Sequence, residues 1–159
     1  MPVTADESDS WHNHVVISEV LVSASSEDYD GVDWNGDGDI GSSSDQFIEL
    51  WNPTDETVNI SNWILDDVLG AGSPACSIGW DTELAPDARL AFFRKTKGLD
   101  QHSTHIELNY FEGDSVNLLD DQGNLIHSMS YPEEGLFWDT PYILLENGSY
   151  WGDYDGPSP

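Results

Sequence analysis

Positive charge is what this chain most lacks. Against 31 Asp and Glu it carries four basic residues, Arg89, Arg94, Lys95 and Lys97, for a formal net charge of −27. Proteins that hold nucleic acid draw most of their affinity from Lys and Arg neutralising phosphates, so nucleic acid is a poor partner. An anionic membrane surface is excluded by the same repulsion. No apolar run approaches the roughly 20 residues of a membrane span, so direct membrane insertion is not expected. Cys76 is the sole cysteine, which rules out a disulfide framework and a cysteine metal cluster. Its neighbours bring no base or cation to activate the thiol, so it reads as buried or idle. A 3.6-residue apolar period never persists for three turns, and helical architectures drop out with it. Also missing are a GxSxG elbow, a glycine-rich phosphate loop and a helical HExxH, leaving no catalytic residues to name and no enzyme expected.

What is present begins with acid, and 20 of the acids are Asp, which suits loops and cation sites better than helices. They concentrate in the stretch Asp33-Trp34-Asn35-Gly36-Asp37-Gly38-Asp39-Ile40, running on to Asp45. Oxygen-bearing side chains recur at alternate positions, two glycines allow a tight reversal, and residues 27–45 hold seven acids and no base. A hard divalent cation, Ca²⁺ above all, binds such clustered carboxylate and amide oxygens. The stretch resembles the calcium loop of EF-hands and dockerins. Asp33, Asn35 and Asp37 fall at its first, third and fifth positions, Gly38 at its tight-turn sixth and Ile40 at its apolar eighth. The match departs at the twelfth, which holds Ser44, so Asp45 is expected as the closing carboxylate. Asp39 adds its carbonyl, its side chain or neither, and Asp28 with Asp30 completes the shell or holds a second ion.

Residues 1–13 are acidic and polar, read as a flexible leader, and look like neither a secretory signal nor a transit peptide. Residues 14–23 are β-branched and partly alternating, a strand by length and composition. After the acidic loop, 46–51 is a second strand ended by an Asn-Pro turn. Short strands follow at 57–60 and 63–66, then a Gly/Ser/Pro loop and a turn at 83–88 leading into a strand at 89–94. Residues 95–103 read as polar connection and 104–111 as an alternating strand. Residues 115–119 and 125–131 form a hairpin over Asp120-Asp121-Gln122-Gly123-Asn124. Short strands with turn signals between them point to an all-β sandwich. Residues 132–159, rich in Pro, Gly and aromatics, read as a C-terminal extension or linker. A further hairpin at 142–145 and 149–151 fits inside that segment.

Three blocks together resemble the lamin tail domain family. They are Val16-Ile17-Ser18-Glu19-Val20; Phe47-Ile48-Glu49-Leu50-Trp51-Asn52-Pro53 with Val58-Asn59-Ile60-Ser61-Asn62-Trp63-Ile64-Leu65; and Val116-Asn117-Leu118-Leu119-Asp120 with Gly123-Asn124-Leu125-Ile126 and Ser130-Tyr131. The resemblance covers 14–131 and implies an immunoglobulin-like β-sandwich. It is closer to the prokaryotic, largely extracellular members than to the nuclear lamins, whose chromatin contacts this charge opposes. Secretion or display at the cell surface is the localisation it implies, and no catalytic residues carry over.

Aromatic side chains outside the strands are the second signal. Trp34, Trp138 and Trp151 are candidate ligand contacts, since Trp stacks on sugar rings and anchors protein interfaces. His12 and His14 share one face of an extended segment, yet a zinc site needs three or four ligands. Glu19 and Glu49 sit on adjoining strands as a possible carboxylate pair. The expectation is a non-catalytic, calcium-stabilised interaction or adhesion module that binds a protein or glycan at a cell surface. The alternative is a carbohydrate-binding module working through loop aromatics.

Overall fold

The computed structural model describes residues 13–24, 31–41, 43–94, 102–109, 113–131, 142–145 and 148–151. Twelve strands appear among them: β1 (Val16–Ser23), β2 (Phe47–Trp51), β3 (Val58–Asn59), β4 (Ile64–Asp66), β5 (Cys76–Ser77), β6 (Glu83–Leu84), β7 (Arg89–Arg94), β8 (His102–Thr104), β9 (Asp114–Leu119), β10 (Leu125–Tyr131), β11 (Tyr142–Leu145) and β12 (Gly148–Trp151). They form a six-stranded sheet, β12-β11-β1-β2-β7-β8, a four-stranded sheet, β10-β9-β4-β5, and the small pair β3-β6. All pairings are antiparallel except β7 with β8, which is parallel.

Alternation along the strands builds one core between the two sheets, because successive side chains point to opposite faces. Ile17, Val20, Val22, Ile48, Leu50 and Phe92 meet Leu65, Val116, Leu118, Met129 and Tyr131 there, all buried. The opposite face of the larger sheet carries a second apolar patch of Leu21, Ala24 and Phe47, with Trp34 and Phe93 packed on it. At a bulge between Ile17 and Glu19 the β1–β2 ladder is interrupted. The Ile17 N–H there donates to His127 Nδ1 at 3.0 Å, a bond that ties the two sheets together at β1 and β10.

The expected strands at 14–23, 46–51, 57–60, 63–66, 89–94, 115–119 and 125–131 are all present, shorter by one or two residues at some ends, with β9 starting one residue early. Two differences have a physical cause. Residues 105–109 keep the expected alternation, with Ile106 and Leu108 buried and Glu107 exposed, but they form no ladder. Instead the buried Gln46 side chain stands in for a neighbouring strand. Its Nε2 donates to Val22 O at 2.6 Å and Leu108 O at 2.8 Å, and its Oε1 accepts from Leu108 N at 3.1 Å. The strand in that region is β8, two of whose three residues fall in the stretch expected to be connection. Second, β11 pairs with β1, so the larger sheet takes its last two strands from the segment read as an extension. Residues 1–12, which include nearly all of the expected leader, lie outside the described residues.

Asn52 fixes the turn between β2 and β3. Buried completely, its Oδ1 accepts from Thr54 N at 3.1 Å and Thr54 Oγ1 at 2.7 Å. Its Nδ2 donates to the carbonyls of Glu56, Leu84 and Ala85 at 2.8, 2.8 and 3.1 Å. Removing one partner from a buried network leaves the others unsatisfied, at about 1–3 kcal/mol per group. Asn52→Ala is expected to lose about 3 kcal/mol in urea unfolding, and Asn52→Asp to lose a comparable amount because it keeps the acceptor and not the donors. An unchanged midpoint in both variants would show that the turn holds without the amide.

Candidate functional site

The acidic stretch leaves the end of the larger sheet just before β2 and winds up through its own side chains. Asp37 N donates to Asp33 Oδ1 at 3.1 Å and to Asn35 Oδ1 at 2.8 Å, so those two oxygens converge on one N–H. Gly38 N donates to Asp33 Oδ2 at 2.9 Å, and Asp39 N to Asp37 Oδ1 at 2.8 Å. Each is a side chain of Asp or Asn accepting from backbone a few residues on, which bends the chain back on itself. Gly36 and Gly38 adopt φ of 71° and 94°, the left-handed region that the reversal requires and that a side chain would disfavour. Asn35 is completely buried and anchors the turn to the sandwich, its Nδ2 donating to Ser44 O at 2.9 Å and to Arg94 O at 2.7 Å.

Asp45 closes the loop from the other side. Its Oδ1 accepts from Trp34 N at 3.0 Å and Asn35 N at 3.5 Å, and its Oδ2 from Gly41 N at 2.7 Å and Ser44 Oγ at 3.2 Å. A carboxylate offers about four lone-pair sites, and four donors occupy them. Burial pushes the Asp45 carboxyl up from its ordinary range, while the donors from Gly41, Asn35, Ser44 and Trp34 pull it back. The carboxylate is therefore a clamp on the loop, and as a closing ligand it would have to release bonds it already makes. Among the described residues no group of three or more His, Cys, Asp and Glu is placed to hold a metal ion. The oxygens with a chemistry that suits a hard cation are those of Asp33, Asn35 and Asp37, gathered on the turn. The Asp39 residue is exposed. Asp28 and Asp30 lie outside the described residues.

Arg94, which bonds to this loop, is already engaged. Its Nη1 donates to Ser43 O at 2.5 Å and its Nη2 pairs with Glu107 at 2.8 Å. Of the candidate aromatics, Trp34 is half-buried against the Leu21, Ala24 and Phe47 patch, where it covers core. Trp138 and the Trp151 side chain lie outside the described residues. Sequence reasoning passed over Trp80 as one loop aromatic among several, yet it is 87% exposed on the turn between β5 and β6. Asp81 beside it takes φ 58°, and Thr82 Oγ1 donates to Gly79 O at 2.9 Å, so the turn is held while the indole faces solvent.

Glu19 and Glu49 are cross-strand neighbours on β1 and β2 and both are buried. Glu49 accepts from Ser18 Oγ at 2.5 Å and pairs with Arg89 Nε at 3.5 Å, and the Arg89 guanidinium lies 4.7 Å from the Trp51 ring centroid. That is an internal ion pair stacked on an aromatic ring, an arrangement that serves packing. His14 and His127 have ring centroids 6.2 Å apart.

An all-strand, immunoglobulin-like sandwich carrying an acidic, side-chain-wound loop before its second strand is the class these features define. The family model for the Lamin Tail Domain matches residues 8–133, most of the chain, and the chain belongs to that family. Its members are non-enzymatic immunoglobulin-like domains. A comparison with curated proteins returned no match.

His127 sets an acid limit on the fold. Burial lowers its pKa, with repulsion from His14 adding to the effect, and Nδ1 must stay bare to accept from Ile17 N. An unfolded His titrates near about 6.5. A depressed folded pKa means that this contribution to stability is complete above that pH and is lost as pH falls towards the folded value. Urea unfolding is expected to show stability declining below about pH 6.5, with the His127 imidazole NMR signal still that of the neutral ring at a pH where an unfolded histidine is already protonated. Titration of the His127 ring at the unfolded value would remove the basis for this limit.

Proposed function

We propose that this chain is a non-catalytic, calcium-stabilised interaction module of a secreted or cell-surface protein, docking a protein or glycan partner. The observation that carries the calcium part is the convergence of Asp33 and Asn35 oxygens on the Asp37 N–H, on a turn with no Lys or Arg of its own. An ion there offsets the charge of a loop that holds seven acids and no base within residues 27–45. It also favours the ionised form of the neighbouring buried Asp45, which burial disfavours. The ion is structural: it steadies the loop between β1 and β2 and takes part in no reaction. The non-catalytic part is supported by the family and by Glu49 and Arg89 being spent on internal pairing. The extracellular part is supported by the likeness to prokaryotic surface members and by an acidity that disfavours nucleic acid.

Extracellular calcium modules bind at about 10⁻⁴–10⁻³ M, and ligand at a hundredfold excess stabilises a fold by about 2.7 kcal/mol. For a domain of this size that is a rise in Tm of about 5–10 °C. The rise is expected in calcium relative to chelator, and Asp37→Ala should abolish the increment while leaving the chelated Tm nearly unchanged. Equal melting temperatures in calcium and chelator would defeat the calcium reading.

A second reading, glycan binding through an aromatic platform, is favoured by the exposed Trp80 indole. It makes Trp80→Ala lose retention on insoluble polysaccharide while Trp34→Ala loses stability. Retention that survives Trp80→Ala counts against that platform.

A further inference from the structure

At the end of the sandwich where β1 begins and β2 ends, an open cleft of about 540 Å³ lies between the two sheets' margins. Val58, Ile126 and the half-buried Trp63 give it an apolar wall, and His14, Asp55 and Glu56 give it a polar one. Both carboxylate residues are exposed, and no Lys or Arg is among the described residues that line it. The walls are built in advance. Asn52 Nδ2 and Thr54 Oγ1 both donate to Glu56 O, at 2.8 and 3.0 Å, which locks the turn that presents Asp55 and Glu56. Trp63 is set by its N–H to Ile60 O at 3.1 Å and by its carbonyl, which accepts from Ile78 N at 2.7 Å. A site assembled before its ligand arrives avoids the entropy of ordering side chains on binding.

The same chain shows what such a combination holds. On the outer face of the larger sheet, Trp51 and Glu49 together embrace the Arg89 guanidinium. The cleft repeats the pairing of indole and carboxylate, with no Lys or Arg among its described lining residues. We infer that this cleft docks a basic peptide segment of a partner protein, an arginine or lysine side chain lying along Trp63 with its charge facing Asp55 and Glu56. The inference rests on the reading of the chain as an interaction module and names the chemistry of its partner. A net charge of −27 steers such a segment towards the chain, and the cleft supplies the place where it stops.

The test is calorimetric titration of the full chain with a synthetic Arg/Gly/Ser peptide and its Gln/Gly/Ser and Glu/Gly/Ser counterparts, at physiological salt. The arginine peptide is expected to bind and the other two to fail. Asp55→Asn with Glu56→Gln should weaken binding about threefold to tenfold, the range of two exposed ion pairs with an aromatic contact. Trp63→Phe should weaken it as well, since a cation prefers the indole. Glu83→Gln with Asp121→Asn removes the same charge at exposed positions elsewhere and should leave affinity unchanged. Equal losses from the two double variants would mean diffuse attraction to an acidic chain and overturn the cleft. Preferential binding of the neutral peptide would overturn it too. If the arginine peptide fails while the chain still captures another protein or a glycan, this inference falls and the module reading stands.

Discussion

Side-chain oxygens accepting from backbone N–H groups hold much of this structure together where its strands do not. Most of its strands are short, so a large share of the backbone lies in connections, and buried backbone donors need partners. Asp and Asn provide them. Asp33, Asn35 and Asp37 wind the first long loop, and Asp45 ties its two ends together. The pattern repeats at Asp67, which accepts from the N–H groups of Val68 and Ser73, and at Asp114, which accepts from those of Asn109 and Ser115. At the tip of the β9–β10 hairpin, Asp120 accepts from Gln122 N, Asn124 N and Asn124 Nδ2, and those bonds hold its carboxyl below its ordinary range. The acidity of the composition is therefore partly architectural: the carboxylates take the place of hydrogen bonds that longer strands would have made.

That arrangement has a cost, visible where the carboxylates go inside. Burial raises the Asp45 carboxyl despite its four donors, and burial together with the charge of Asp67 raises Asp66. A carboxyl raised in the fold stabilises below its unfolded pKa and loses that contribution as pH rises through the folded value. His127 works in the opposite direction, so acidification relieves these carboxylates and taxes the histidine. Hydrogen bonds from N–H groups compensate an anion without neutralising it, and a nearby cation does what they cannot. The loop thus contains the physical motive for an ion independently of any motif.

The strands were readable because each carries a signal within its own span: β-branched residues and alternation in β1, β2, β9 and β10, and turn residues between them. The pairs β3–β6 and β4–β5 were harder. Cys76–Ser77 and Glu83–Leu84 are two residues long, too short for any period, and exist because Asn52 and the core hold their partners in place. Residues 104–109 show a deeper limit. Their alternation is real and their burial follows it, but the neighbour is the side chain of Gln46, 62 residues away from Leu108. At the candidate site, spacing picked out Asp33, Asn35 and Asp37 as a unit because their contacts are local. It placed Asp45 among them as an equal, and whether that carboxylate faces an ion or its own backbone depends on Trp34 and Gly41. Nothing in the spacing separates an indole that covers Leu21 and Phe47 from one that stands in solvent, which is why Trp34 drew attention before Trp80.

The acidic loop and the Trp63 cleft lie at opposite ends of β2, since Gln46 opens that strand beside Asp45 and Asn52 closes it beside Pro53. Five extended residues span about 17 Å, twice the Debye length of about 8 Å at physiological salt. Charge placed at one end is screened before it reaches the other, so an ion in the loop does not by itself repel a cationic side chain in the cleft. Any coupling between them has to be mechanical. β2 is fitted for that, because it is paired on both sides, with Ile48 and Leu50 fixed in the core and its two termini held by buried Gln46 and Asn52. A rigid strand between two sites transmits position and little else. On the calcium proposal, the ion would act on this fold by ordering the loop end, and the cleft would keep its shape from Asn52 and Trp63 with or without it.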